Sequence, residues 1–173
     1  MLERILIAGA GGQGIIMLGK LLARLALESR PHITFFPSYG AEVRGGTSNC
    51  QVILAAQEIA SPLAEAFDSL IIMNQQSLVR FQKRLTRKGL AIINRSLCQP
   101  VSDKRFVLVR ATEIADQLGN VRAANFVMLG AWLARKPLMS PAAVERLISE
   151  SFPGAKPTLI EANIMALRKG LLC

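Results

Sequence analysis

The chain has 173 residues, 51% of them hydrophobic, and Lys plus Arg outnumber Asp plus Glu by 21 to 12. That length suits one domain with a real core, and no run of about 18 uncharged apolar residues is present to cross a bilayer. Aromatics are 5% and do not interleave with basic residues, so neither nucleic acid nor membrane is expected as a partner. The basic surplus points instead to an acidic protein or a phosphorylated small molecule.

In chain order, ERILIAG (3–9) reads as a buried strand ending at glycine. The opening MLERILIAGA lacks a basic n-region and a long apolar h-region, so a cytoplasmic protein is expected. Residues 14–30 place Ile15, Leu18, Leu22, Leu25 and Ala26 at helical spacing. HITFF (32–36), CQVILA (50–55) and LIIMN (70–74) read as strands. In RFQKRLTRK, Arg80, Lys83, Arg84, Arg87 and Lys88 recur at three- and four-residue steps, which predicts a basic helix closed by a Lys88-Gly89 turn. Its face is either solvated or an anion surface. LAIIN (90–94) and RFVLV (105–109) are further strands, and ATEIADQL (111–118) is a helix. AANFVMLGAWLA (123–134) is apolar almost all round, so it belongs in a core or an interface, and an isolated chain could dimerise through it. Helices over 141–151 and 157–170 end the chain. The alternation predicts an α/β fold: a single Rossmann-like domain over 1–173, with a mixed, mainly parallel sheet flanked by helices and a helical C-terminal third.

Cys50, Cys98 and Cys173 are far apart, there is no CxxC, and His32 is the single histidine. This spacing predicts reduced structural thiols and no metal or cluster held by this chain alone.

Three stretches carry candidate chemistry. In GAGGQG, Gly9, Gly11 and Gly14 satisfy GxGxxG between a strand and a helix, with Gly12 and Gln13 inside the turn. Such a turn leaves N–H groups free for an anion. A dinucleotide site also wants a carboxylate about 20 residues on, for the ribose. The second strand ends FFPSYG, with Glu28 before it and Glu42 well beyond, so that use is disfavoured. Close helix–strand packing, with or without an anion, explains the glycines more cheaply.

The second stretch is SYGAEVRGGTSNC (38–50), longer than a plain connection. Ser38, Tyr39, Thr47 and Ser48 offer hydroxyls, and Gly45 and Gly46 permit close backbone approach. Glu42 and Arg44 are two apart and could pair, or Arg44 could clamp a phosphate or carboxylate. In the third, LGNVRAANFVMLGA, Asn120 could cap a helix beginning at Val121. Arg122 and Asn125, three apart, would share a face of that apolar helix.

GAGGQGIIMLGKLLA, PSYGAEVRGGTSNCQV, SPLAEAFDSLIIMNQQS and LGNVRAANFVMLGAWL together resemble the gamma subunit of 2-oxoacid:ferredoxin oxidoreductases, in order from about Arg4 to Gly170. Ala41 is a departure, standing where the family usually has Pro. The resemblance implies a subunit of an enzyme that converts a 2-oxo acid, coenzyme A and oxidised ferredoxin to acyl-CoA, carbon dioxide and reduced ferredoxin. It implies alpha, beta and delta or ferredoxin-like partner subunits that hold thiamine diphosphate, magnesium and iron–sulfur clusters, with ferredoxin contacted indirectly. No catalytic residue is expected here, and no activity from the chain alone. Tyr39, Glu42, Arg44, Gly45 and Gly46 would face the partners and coenzyme A, with 2-oxoglutarate as the expected 2-oxo acid. Two other readings stand beside it: an independent nucleotide-binding protein using GAGGQG, and a scaffolding module.

Overall fold

The computed structural model describes residues 2–28, 30–38, 47–99 and 102–173. Six strands form one sheet: β1 (Leu2–Ala10), β2 (His32–Ser38), β3 (Thr47–Ala55), β4 (Phe67–Ile72), β5 (Leu85–Asn94) and β6 (Phe106–Val109). Their order is β2-β3-β1-β4-β5-β6. β1, β4, β5 and β6 pair in parallel, while β3 is antiparallel to both β1 and β2. Only β3 therefore runs against the rest, and the sheet is mixed but mainly parallel, as expected.

Six helices accompany it: α1 (Ile15–Ala26), α2 (Gln75–Phe81), α3 (Ala111–Gln117), α4 (Ala124–Arg135), α5 (Pro141–Ser151) and α6 (Pro157–Leu171). Side chains alternate across a strand. In β1, Ile5 and Ile7 enter a core shared with α1 and α3 to α6, whereas Leu6 and Ala8 enter a second core on the other face. Both faces are covered, which is why ILIA reads as a continuous apolar run. The second cover is thin: Leu78 and Phe81 of α2, with Ala64 and Cys98 from connecting segments.

α4 is buried nearly all round, as its composition predicts. It meets α6 backbone to backbone. A Cβ on Gly130 would run into the carbonyl oxygen of Leu167, and one on Gly170 into that of Val127. Trp132 is fully buried, and its Nε1–H donates to Ser69 Oγ at 2.8 Å. Ser69 in turn donates to Glu3 Oε1 at 2.6 Å, and Lys136 Nζ closes on the same carboxylate. The buried Glu3 is thus both paired and hydrogen-bonded, as a buried charge must be.

The basic segment differs from expectation. α2 stops at Phe81, one 3-10 turn spans Gln82–Arg84, and β5 starts at Leu85. Gly89 lies inside β5 at a register irregularity between the Phe67–Leu85 and Ser69–Leu90 pairs, and no turn follows Lys88. The helix ends because Leu85 is needed in the second core and Arg84 is drawn elsewhere. Arg84 donates to the carbonyl oxygens of Ala64 and Glu65 and lies 4.8 Å from the Phe67 ring centre. β2 and β3 are also longer than expected. Pro37 stands opposite Cys50 in β2, an edge strand, where a missing N–H is tolerated.

Candidate functional site

The GAGGQG turn carries the chain from β1 into α1. Gly12 and Gly14 have φ of 85° and 72°, a left-handed backbone that disfavours side chains. Gln13 holds the turn shut: its Oε1 accepts from Ala10 N–H at 2.7 Å and its own N–H donates to Ala10 O at 3.3 Å. Gly9 lies in β1 against Gln13 and Met73, while Gly11 and Gly12 are exposed. Gly14 precedes α1 without a side-chain cap, so the first helical amides have no side-chain acceptor from it.

The register brings the second stretch to the same place. Ala10 stands opposite Thr47, and Ser38 opposite Asn49, so Ser38 and Thr47 both lie at the carboxyl end of β1. Ser38 and Thr47 are strand termini. Tyr39, Glu42, Arg44, Gly45 and Gly46 lie outside the described residues, and with them the Glu42–Arg44 pair. Thr47 Oγ1 accepts from Arg80 Nη1 at 2.9 Å, which draws the end of α2 to this edge.

The third stretch arrives from α3 and α4. Asn125 is 1% exposed, and its Nδ2 donates to Gly14 O at 3.4 Å. Arg122 is exposed in the 3-10 turn Val121–Ala123. It lines a cleft of about 130 Å³ with Gly12, Gln13, Thr112 and Val121. Arg122 and Asn125 both reach the glycine turn, Arg122 exposed in the 3-10 turn and Asn125 buried in α4. Asn120 does not act as a side-chain cap. Its Nδ2 donates to Asn163 Oδ1 at 3.5 Å instead, and its carbonyl accepts from Ala123 N–H at 2.9 Å.

Some contributors were not singled out in the sequence. Asn94 is fully buried at the end of β5; its Nδ2 donates to Thr112 Oγ1 at 2.9 Å and to Met73 O at 3.3 Å, tying three elements at this edge. Asn74 caps α2, accepting from Ser77 N–H at 3.0 Å. The signal was there: two apolar strands, IIMN and AIIN, each end in Asn. Arg80 was legible only as part of a charge run.

The donor set does not fit a metal or cluster. Among the described residues no three His, Cys, Asp or Glu side chains gather. Burial pushes the Cys50 thiol up to about 12 and that of Cys98 to about 11, far from the thiolate a cluster needs. No helix among the described residues is long and apolar enough to cross a membrane.

A mainly parallel α/β domain with a glycine turn after β1, and with its polar convergence at the carboxyl strand ends, is of the kind that meets ligands at that edge. The chain belongs to the pyruvate ferredoxin/flavodoxin oxidoreductase family, matched over residues 4–173. It is 33% identical over 178 residues to the 2-oxoglutarate synthase subunit KorC of Methanothermobacter thermautotrophicus, covering 97% of this chain and 93% of KorC. It is 34% identical over 169 residues to the ketoisovalerate oxidoreductase subunit VorA of the same organism, covering 96% of this chain but 35% of VorA, so the chain spans about a third of that relative. The fold matches the gamma subunit of a keto/oxoacid ferredoxin oxidoreductase from Geobacter sulfurreducens with a TM-score of 0.81 at 24% identity, covering 98% of this chain and 96% of that one.

Proposed function

We propose that this chain is the gamma-type subunit of a cytoplasmic 2-oxoacid:ferredoxin oxidoreductase that acylates coenzyme A, with 2-oxoglutarate as its 2-oxo acid. Its carboxyl edge then forms part of the coenzyme A approach. The observation that carries this reading is the convergence at that edge: the GAGGQG turn, both ends of the 39–46 connection, and Arg122 and Asn125. Coenzyme A is a polyanion, and this edge offers a cation at Arg122, Arg80 close by on Thr47, and the amides at the start of α1. KorC, a 2-oxoglutarate synthase subunit 33% identical to this chain, supports 2-oxoglutarate.

The chain's share of the chemistry is positional. Thiamine diphosphate, when bound in a partner subunit, supplies the decarboxylation chemistry. Among the described residues of this chain, no set of His, Cys, Asp or Glu side chains gathers to hold its magnesium or a cluster. Gln13 and Asn125 fix the turn, Arg122 binds phosphate at the rim, and Arg44 is the further anion contact expected from the 39–46 connection. The chain alone is inactive on this reading.

The test is the complex purified anaerobically from its own cells and weighed intact, with iron and thiamine assayed on the same sample. Association with larger chains carrying both supports the assignment; a lone oligomer carrying neither overturns it. On the assembled enzyme, Arg122→Ala and Arg44→Ala are each expected to raise the KM for coenzyme A about tenfold, the worth of one charge-assisted contact. An unchanged KM with normal assembly removes that arginine from the coenzyme A role.

A further inference from the structure

A cavity that the site does not use lies at the opposite end of the sheet. It is a groove of about 570 Å³ where β1 begins and β3 ends, walled by residues 57–61 and 63–66. Leu2 and Ala55 are register partners at this end, as Ala10 and Thr47 are at the other. At about 3.3 Å per residue, the eight steps between them separate groove and glycine turn by about 26 Å.

Ile53, Ile59 and Ala64 give an apolar floor, while Leu2 at 54% and Leu63 at 53% stand exposed at the rim. Glu58 and Glu65 line it as well. Both are exposed, and neither carboxylate has an ion-pair or hydrogen-bond partner among the described residues. The guanidinium that also lines the groove, Arg4, is engaged by both oxygens of Asp68, at 2.9 and 3.0 Å. Arg84 is turned to the carbonyl oxygens of residues 64 and 65 and to Phe67. In a chain of formal charge +9, this is an apolar groove bordered by uncompensated negative charge.

We infer that the groove docks a segment of a partner chain that presents an aliphatic side chain flanked by lysine or arginine. Exposed leucines around a concave apolar floor mark a protein contact, and the volume suits the burial of a few side chains. The two carboxylates select the flanking charge and orient the segment. A second copy of this chain fits poorly, because it brings another +9 of like charge. The inference rests on the assignment above only in taking the chain as one of several in an assembly, and it is independent of the coenzyme A approach.

The experiment places photoreactive benzoylphenylalanine at Leu63 of the chain in its own cells, and maps the cross-linked peptide in the purified assembly. A segment of another subunit with an aliphatic residue between basic ones is expected. Glu58→Lys with Glu65→Lys should weaken that association about tenfold, and lysine-to-glutamate changes in the mapped segment should restore it. Both positions are exposed, so the variant fold is not at stake. An acidic or uncharged segment, a cross-link to a second copy, no cross-link, or failure of the reciprocal rescue overturns the proposal. The KM for coenzyme A on the same assembly should stay unchanged, which separates this result from a failure at the carboxyl edge.

Discussion

Gly14 shows why the first glycine motif resists substitution. Its φ of 72° penalises any Cβ, and a Cβ there would also run into Asn125 Nδ2. Gly14→Ala is therefore expected to cost about 2 kcal/mol, read as a lower midpoint in urea at unchanged slope. Asp68 is the residue whose protonation matters most at the other end of the sheet. Burial alone would raise its carboxyl pKa, but the guanidinium and backbone N–H of Arg4 outweigh that and hold it below the ordinary range. A lowered folded pKa means that Asp68 stabilises the fold above the unfolded-state value of about 3.9, and that this contribution fades as pH falls through the lower folded value. Asp68→Asn should unfold more readily at pH 7 and lose stability less steeply below about pH 4, as followed by circular dichroism.

Among the elements, α4 and α6 are the most tightly joined. Their backbones approach at Gly130 and Gly170 so closely that an added methyl group would meet carbonyl oxygen on the facing helix. Backbone yields less readily than side chain, so Gly130→Ala is expected to cost about 2 kcal/mol despite the better helix propensity of alanine. Thermal unfolding measures the balance, and a gain in Tm would mean that the helices part without penalty. α4 was legible in advance because a helix apolar on every side has nowhere to go but a core. The basic segment 80–88 was not. Charges at three- and four-residue steps satisfy helical spacing, yet here they straddle a helix end, a 3-10 turn and a strand. Leu85 decided the outcome by pairing with Phe67, a contact 18 residues away that no local pattern reveals.

The whole molecule is lopsided. Five helices cover one face of the sheet, while short α2 and connecting segments cover the other. Amide exchange should follow this plan: slowest in β1 and β4, flanked on both sides, and faster in the edge strands β2 and β6. Comparable rates in β2 and β4 would show that something else protects the edge. The strand and helix order was readable because both faces of the inner strands are apolar, and the place of Gly12 and Gly14 between β1 and α1 followed from it. The reversal of β3 was not readable, since an apolar run carries no direction. That reversal is what returns Thr47 to the glycine turn.

The bond from Asn125 to Gly14 spans 111 positions of chain. On a ribosome adding 5–20 residues per second, roughly 6 to 22 s separate the making of the turn from the making of its support. The earliest motif to be synthesised is thus among the last to be completed, and an unfinished chain carries its glycine turn without the amide that braces it.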